Sequence, residues 1–177
     1  VRIVDENGDD VPDGEEGELL VRGPYTIRGY YRAGEQAANS FTPDGYYRSG
    51  DAVRRLAGGY LTVTGRIKDT VVRAGENVAA DDVEENLTAH PSIRQAAVVG
   101  VPDLDLGERI SALVVASHDH PPGQPIALSE VRSFLTGRGL AAFKLPDEVH
   151  TVASLPVTAI GKVDKKALRA ELQKENA

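Results

Sequence analysis

The chain has 177 residues, enough for one full domain or for one domain and part of another. A hydrophobic content of 41% and a charged content of 27% are those of an ordinary globular protein, and no apolar run approaches the ~18 residues of a membrane span. The absence of cysteine excludes disulfides, thiolate metal sites and cysteine nucleophiles, and a net charge of −7 argues against a general nucleic-acid binder.

In chain order, Val1–Val4 has a strand pattern and leads into the turn residues Glu6-Asn7-Gly8-Asp9. Val11-Pro12-Asp13-Gly14 is a second turn, and Glu18–Arg22 a second strand closed by Gly23-Pro24. Arg28-Gly29-Tyr30-Tyr31 follows, then a polar segment from Arg32 to Ser40 suited to a short helix. Thr42-Pro43-Asp44-Gly45 is another turn. Asp51–Leu56, Gly58-Gly59 and Tyr60–Thr64 predict a β-hairpin. Residues 1–66 thus read as short strands and turns, part of a distorted β-barrel with some edges unpaired.

From residue 67 the pattern changes. Thr70–Val72 predicts a short strand, and Asp81 or Asp82 is placed to cap a helix to about Ala89, with Val83 and Leu87 on one face and His90-Pro91 as its stop. Ile93–Val101 and Ile110–Ala116 are apolar and β-branched, as buried strands are. Ser129 is placed to cap the next helix, with Val131, Phe134 and Leu135 inward and Gly137 or Gly139 ending it. A strand over Glu148–Val152 and a final helix capped by Asp164, with Leu168 and Leu172 on one face, complete an α+β unit. The expected division is therefore 1–66 and 67–177.

The border itself, Gly65-Arg66-Ile67-Lys68-Asp69 followed by Arg73-Ala74-Gly75-Glu76-Asn77, is too rich in charge and glycine for a bland linker. Methionine is absent and Val1 does not resemble a processed start, so the chain is expected to be a piece of something longer. The acidic opening residues do not form a signal peptide, and with the lack of cysteine this fits a cytoplasmic protein.

Several residues suit chemistry, although each taken singly fits an ordinary structural role better. Asp51, after a Gly turn, can accept hydrogen bonds from vicinal hydroxyls or satisfy backbone donors at a strand entry. Arg66 can grip a phosphate or ribose oxygen with its planar fork, or form a solvated ion pair at a strand end. Gly75, with Glu76 and Asn77, reads as a tight turn between a strand and a helix, where Gly75 serves a positive φ or close ligand approach. Lys162, in Ile160-Gly161-Lys162-Val163-Asp164 just before a capped helix, can neutralise charge developing during a displacement, or stand solvated. It does not belong to a phosphate loop of the Walker type, because the residue five before Gly161 is Pro156. His118 and His120 lack the carboxylates of a metal site, His90 and His150 read as structural, and no Gly-x-Ser-x-Gly elbow is present.

The order and spacing of these motifs say more than each motif does. Gly17-Glu18-Leu19, Arg28-Gly29-Tyr30, Tyr47-Arg48-Ser49-Gly50-Asp51, Gly65-Arg66-Ile67-Lys68-Asp69, Arg73-Ala74-Gly75-Glu76-Asn77 and Gly161-Lys162-Val163 together resemble the C-terminal third of adenylate-forming enzymes. That superfamily includes acyl- and aryl-CoA synthetases, luciferases and the adenylation domains of nonribosomal peptide synthetases. Gly23–Tyr31 and Arg138–Asp147 look most like the stand-alone aryl acid–AMP ligases, which activate 2,3-dihydroxybenzoate or salicylate for siderophore assembly.

The resemblance implies a function and a set of roles. Asp51 matches the residue that holds the ribose hydroxyls of the nucleotide, and Arg66 a nucleotide contact beside it. Lys68 matches the hinge. Gly75, Glu76 and Asn77 match the loop used in the thioester-forming step, and Lys162 the lysine that bridges carboxylate and nucleotide during adenylation. ATP and Mg²⁺ are the implied cofactors, with the Mg²⁺ ligands, the phosphate loop and the acid pocket expected before Val1. The chain alone is then expected not to catalyse adenylation. The implied partners are an aryl acid and an aryl carrier protein bearing phosphopantetheine. Two alternatives stay open: another acyl-CoA ligase or amino-acid adenylation domain, and a non-catalytic carrier-docking module.

Overall fold

Alternating apolar residues and glycine-rich turns build the first part of the chain into an antiparallel meander. In the computed structural model, which describes residues 1–29 and 40–175, the strands β1 (Arg2–Val4), β2 (Glu16–Val21), β3 (Tyr47–Arg55) and β4 (Leu61–Arg66) form one sheet in that order. Ile3, Val4, Leu20, Ala52 and Val53 are its buried residues. β1 and β4 are the sheet edges. Tyr30, Tyr31 and the helix expected over 32–40 lie, apart from Ser40, outside the described residues.

The sequence starts β3 at Asp51, after a Gly turn, whereas the structure starts it four residues earlier, at Tyr47. Ser49 and Gly50 therefore lie within the strand, though neither has a register partner. Leu20 pairs with Arg48 and Glu18 with Ala52, so β3 holds extra residues at this point, and Gly50 takes a φ of +71° there. The irregularity is a bulge, which a glycine hides from a strand pattern.

The chain divides at Lys68 into two units, Val1–Lys68 and Asp69–Ala177, with a short 3₁₀ turn over Ile67–Asp69. The second unit holds β5 (Thr70–Arg73), β6 (Glu76–Ala79), α1 (Ala80–Thr88), β7 (Ile93–Asp103), β8 (Gly107–Ala116), α2 (Leu128–Gly137), β9 (Glu148–Thr151) and α3 (Lys165–Glu175). Its sheet runs β6-β5-β8-β7, with β9 parallel to β8.

Both faces of this sheet are covered, which explains why β7 and β8 read as continuous apolar runs. Successive residues of a strand face opposite sides. Val98, Ile110, Ala112 and Val114 pack with Val83 and Leu87 of α1 and Val131 and Leu135 of α2. Ala97, Val99, Leu113 and Val115 pack with Leu168 and Leu172 of α3. None of the described helices is long and apolar enough to cross a membrane.

Three local expectations are corrected. Glu76 and Asn77 are not in a turn before a helix: they open β6, paired with Arg73 and Val72, and the turn is Ala74-Gly75 between two strands. Four residues are too short a strand for periodicity to detect. Asp81 and Asp82 do not cap α1, because β6 runs directly into it and Ala79 is the cap residue, leaving both carboxylates in the first turn where the helix dipole favours them. Ser129 lies inside α2, whose cap residue is Ala127. Asp164 does cap α3, accepting the Ala167 N–H at 3.0 Å.

Candidate functional site

In the first unit, β3 and β4 bring Asp51 and Arg66 face to face as register partners. Arg66 Nε donates to Asp51 Oδ1 at 2.9 Å and its Nη1 donates to the Ser49 carbonyl at 3.1 Å. Asp51 N–H donates in turn to Ser49 Oγ at 3.0 Å. Gly50 makes this possible, since its positive φ turns Ser49 and Asp51 toward the arginine. The ladder also shifts between Ala52 and Val53, so both strands are irregular at this pair. Arg66, half-exposed and oriented by its ion pair with Asp51, presents a guanidinium to an open depression of about 430 Å³. Glu18, Arg48, Gly50, Arg66 and Lys68 are among the residues that line it, so three cations and one carboxylate border it, with Arg48 paired to Glu18. Such a surface suits an anionic ligand with hydroxyl groups, the carboxylate accepting from vicinal hydroxyls and the cations facing negative charge. Arg66 and Lys68 are thus brought to one depression, with Asp51 joined to it through its ion pair with Arg66.

In the second unit the candidate residues stand on two reverse turns. Ala74 and Gly75 both have positive φ, 50° and 84°, the signature of a two-residue type I′ hairpin turn. Glycine is at ease there, and alanine is not. The Ala74 N–H donates to the Leu106 carbonyl at 2.7 Å. Gly75, Glu76 and Asn77 are all exposed.

Lys162 occupies the second turn. Gly161 N–H donates to Thr158 O at 2.9 Å, Thr158 N–H to Lys162 O at 2.7 Å, and Lys162 N–H to Thr158 Oγ1 at 3.3 Å. Val157 bridges Val163, and Asp164 N–H donates to the Pro156 carbonyl at 2.8 Å. The backbone is therefore fixed while the lysine side chain is exposed. Lys165, three residues on, holds the start of α3 against α1, with Nζ 2.8 Å from Glu84 and 3.4 Å from Asp81. Burial pushes the Glu84 carboxyl above its ordinary value, opposed by Lys165 and by the Val98 N–H, which donates to it at 2.7 Å.

Sequence reasoning missed the partners of these turns. Arg73, at the base of the first, makes a two-pronged ion pair with Asp147, at 2.8 and 2.7 Å, and Asp147 also accepts the Ile110 N–H at 2.8 Å. The two residues are 74 positions apart, so no local pattern joins them. Burial raises the Asp147 carboxyl, but the bonds from Arg73 and Ile110 outweigh it and hold the group below its ordinary 3.8. A depressed folded value means that the pair's stabilisation is present above 3.8 and is lost as pH falls through the folded value. Acid titration followed by circular dichroism should show the Asp147→Asn variant losing less stability below that pH than the parent chain.

Neither His118 nor His120 joins a metal cluster: among the described residues no group of three or more His, Cys, Asp or Glu is placed to hold an ion. His90 is buried, its Nδ1 accepting the Ser92 N–H at 3.1 Å and its ring edge-on to Phe134.

Comparison with known proteins gives a consistent set of relatives. The family described as the AMP-binding enzyme C-terminal domain matches residues 82–162. Triostin synthetase I of Streptomyces triostinicus is 56% identical, over 96% of this chain and 31% of its own length. The salicyl-AMP ligase / salicyl-S-ArCP synthetase of Mycobacterium tuberculosis is 52% identical, over 97% of this chain and 30% of its own. The 2,3-dihydroxybenzoate-AMP ligase of Bacillus subtilis is 49% identical, over 99% and 32%. The crystal structure of ATP-bound MatB from Rhodopseudomonas palustris superposes with a TM-score of 0.83 at 35% identity, covering 99% of this chain and 34% of that one. The chain thus spans about a third of the length of the relatives it matches. Over nearly its whole length the chain is similar, in sequence and in fold, to about a third of these adenylate-forming enzymes, and residues 82–162 match the AMP-binding enzyme C-terminal domain.

Proposed function

We propose that this chain is the C-terminal part of an aryl acid–AMP ligase. The full-length enzyme activates salicylate or 2,3-dihydroxybenzoate with ATP, releasing pyrophosphate, and passes the aryl group to the pantetheine thiol of an aryl carrier protein in siderophore assembly. The observation that carries the reading is the pair of relatives bearing those two aryl acids in their names, each about half identical along almost the entire chain.

The site geometry supports it. Asp51 accepts from the ribose hydroxyls, and Arg66, held in place by Asp51 and Ser49, faces the nucleotide beside it. Lys162 places an ammonium between the acid's carboxylate and the α-phosphate, where two anions must approach and charge builds on the phosphoryl oxygens. The thiol step needs different groups at the same centre, and the Ala74-Gly75 hairpin supplies a face for it. Lys68, the last residue of the first unit, is the pivot that lets the second unit present Lys162 first and the hairpin second. Mg²⁺ neutralises phosphate charge in such a reaction. Its ligands, like the acid pocket, belong to the rest of the enzyme. The reaction is placed in the cytoplasm, where ATP and carrier proteins meet.

The test is ATP–pyrophosphate exchange by the full-length enzyme over a panel of carboxylic acids, followed by loading of a carrier protein. Salicylate or 2,3-dihydroxybenzoate should drive exchange well above benzoate-free background, while residues 1–177 alone give none. Exchange driven only by an aliphatic or amino acid would overturn the aryl assignment.

A further inference from the structure

The β5–β6 hairpin is joined to the rest of its sheet by little backbone pairing. β5 shares a single register pair with β8, Arg73 with Gly107, and beyond it the Ala74 N–H donates to the Leu106 carbonyl at 2.7 Å. Side-chain carboxylates take over where backbone pairing stops. Asp147 grips Arg73 through both oxygens, at 2.8 and 2.7 Å, and is itself tied to β8 by the Ile110 N–H at 2.8 Å. Glu108 of β8 accepts the Val72 N–H at 2.8 Å. The Arg73 and Asp147 side chains are only 19% and 17% exposed, so the pair is shielded and its geometry is held on both sides.

A glycine makes room for the second carboxylate. A Cβ at Gly100 of β7 would lie 2.7 Å from the Glu108 carboxyl carbon and as close to one of its oxygens, so any larger residue would push Glu108 away. Two carboxylates on separate elements therefore converge on two successive residues, Val72 and Arg73, immediately before the Ala74-Gly75 tip. The tip's own backbone is committed to an unfavourable positive φ at Ala74, which persists only if the base is held.

We infer that Asp147, with Glu108, is a positioning residue for the thioester-forming step: it sets the aim of the Ala74-Gly75 hairpin tip and has no part in forming the adenylate. The inference rests on the proposed use of that hairpin in the second half-reaction. Neither carboxylate touches a reacting atom. The effect passes through Arg73 and the Val72 amide to the turn. A merely structural role would weaken both half-reactions together, whereas a positioning role separates them.

The experiment uses the full-length ligase with Asp147→Asn, Asp147→Glu and Gly100→Ala. Three readouts are taken: aryl-acid-dependent ATP–pyrophosphate exchange, thioester formation from preformed aryl-AMP, and hydrogen exchange of the amides over residues 70–79. Asp147→Asn and Gly100→Ala should each speed amide exchange over that segment and slow thioester formation about tenfold or more, with pyrophosphate exchange changed less than about threefold, as misplacement of a positioning element predicts. Asp147→Glu, which keeps the charge, should recover part of the thioester rate. Unchanged amide exchange would overturn the brace. Faster amide exchange with an unchanged thioester rate, or equal loss of both half-reactions, would overturn the positioning role. A parent enzyme that exchanges pyrophosphate but forms no thioester on any acceptor would instead sink the role given to the hairpin, and the inference with it.

Discussion

Replacing Lys162 with alanine in the full-length ligase will cut aryl-acid-dependent ATP–pyrophosphate exchange by about 10²-fold or more, the usual cost of losing one group that stabilises developing charge. Thioester formation from preformed aryl-AMP will stay within a few-fold of the parent. The split follows from where the lysine stands. Its backbone is fixed by Thr158 on both sides of the turn and by the bond from Asp164 to Pro156, none of which uses the lysine side chain. The ammonium is exposed, so its removal leaves no cavity and no buried group unpaired. What is lost is a positive charge at one point, and that charge matters only while carboxylate and α-phosphate are being joined. Arginine at this position would not restore the rate, since a planar guanidinium does not fit where a compact ammonium serves. Equal loss of both half-reactions would contradict the assignment.

The second large effect is on stability. Ile110→Ala is expected to cost about 2–5 kcal/mol, read as a fall in the thermal or urea midpoint of the second unit. Ile110 is fully buried and lies in β8, the strand that pairs with β5, β7 and β9 and so holds the sheet together. Its side chain packs among Val83, Leu87, Val98 and Leu135, drawn from two helices and a neighbouring strand. No single neighbour can relax into the space, because each is fixed by its own element. A loss below about 1 kcal/mol would mean that the core collapses around the deletion far more readily than this packing allows.

The sequence makes the buried strands and the last helix plain, because their signals are local. Ile93–Val101 and Ile110–Ala116 are apolar throughout since both sheet faces are covered, and Asp164 caps α3 through a bond only three residues long. The errors have a common cause. Asp81, Asp82 and Ser129 have capping side chains, but the chain enters α1 straight from β6 and α2 straight from an extended Ala127, so no cap site falls at those residues. β6 is four residues long, and the bulge at Gly50 conceals that the strand holding Asp51 already begins at Tyr47. At the candidate site, Asp51 and Arg66 could be named from ordered motifs, but their contact is a matter of register between β3 and β4. Asp147 and Glu108 were not identified for the same reason carried further: their partners are 74 and 36 residues away, and only the folded sheet joins them.

One sheet face of the second unit is closed, among the described helices, by α3, through Leu168 and Leu172 against Ala97, Val99, Leu113 and Val115. A ribosome makes every one of those strand residues before it makes the helix that shields them. At roughly 5–20 residues per second, the ~50 residues between Val115 and Leu168 leave that apolar surface bare for several seconds of translation. The turn that carries Lys162 lies within the same late stretch, directly before α3. The lysine proposed for catalysis is therefore made just ahead of the helix that shields this face.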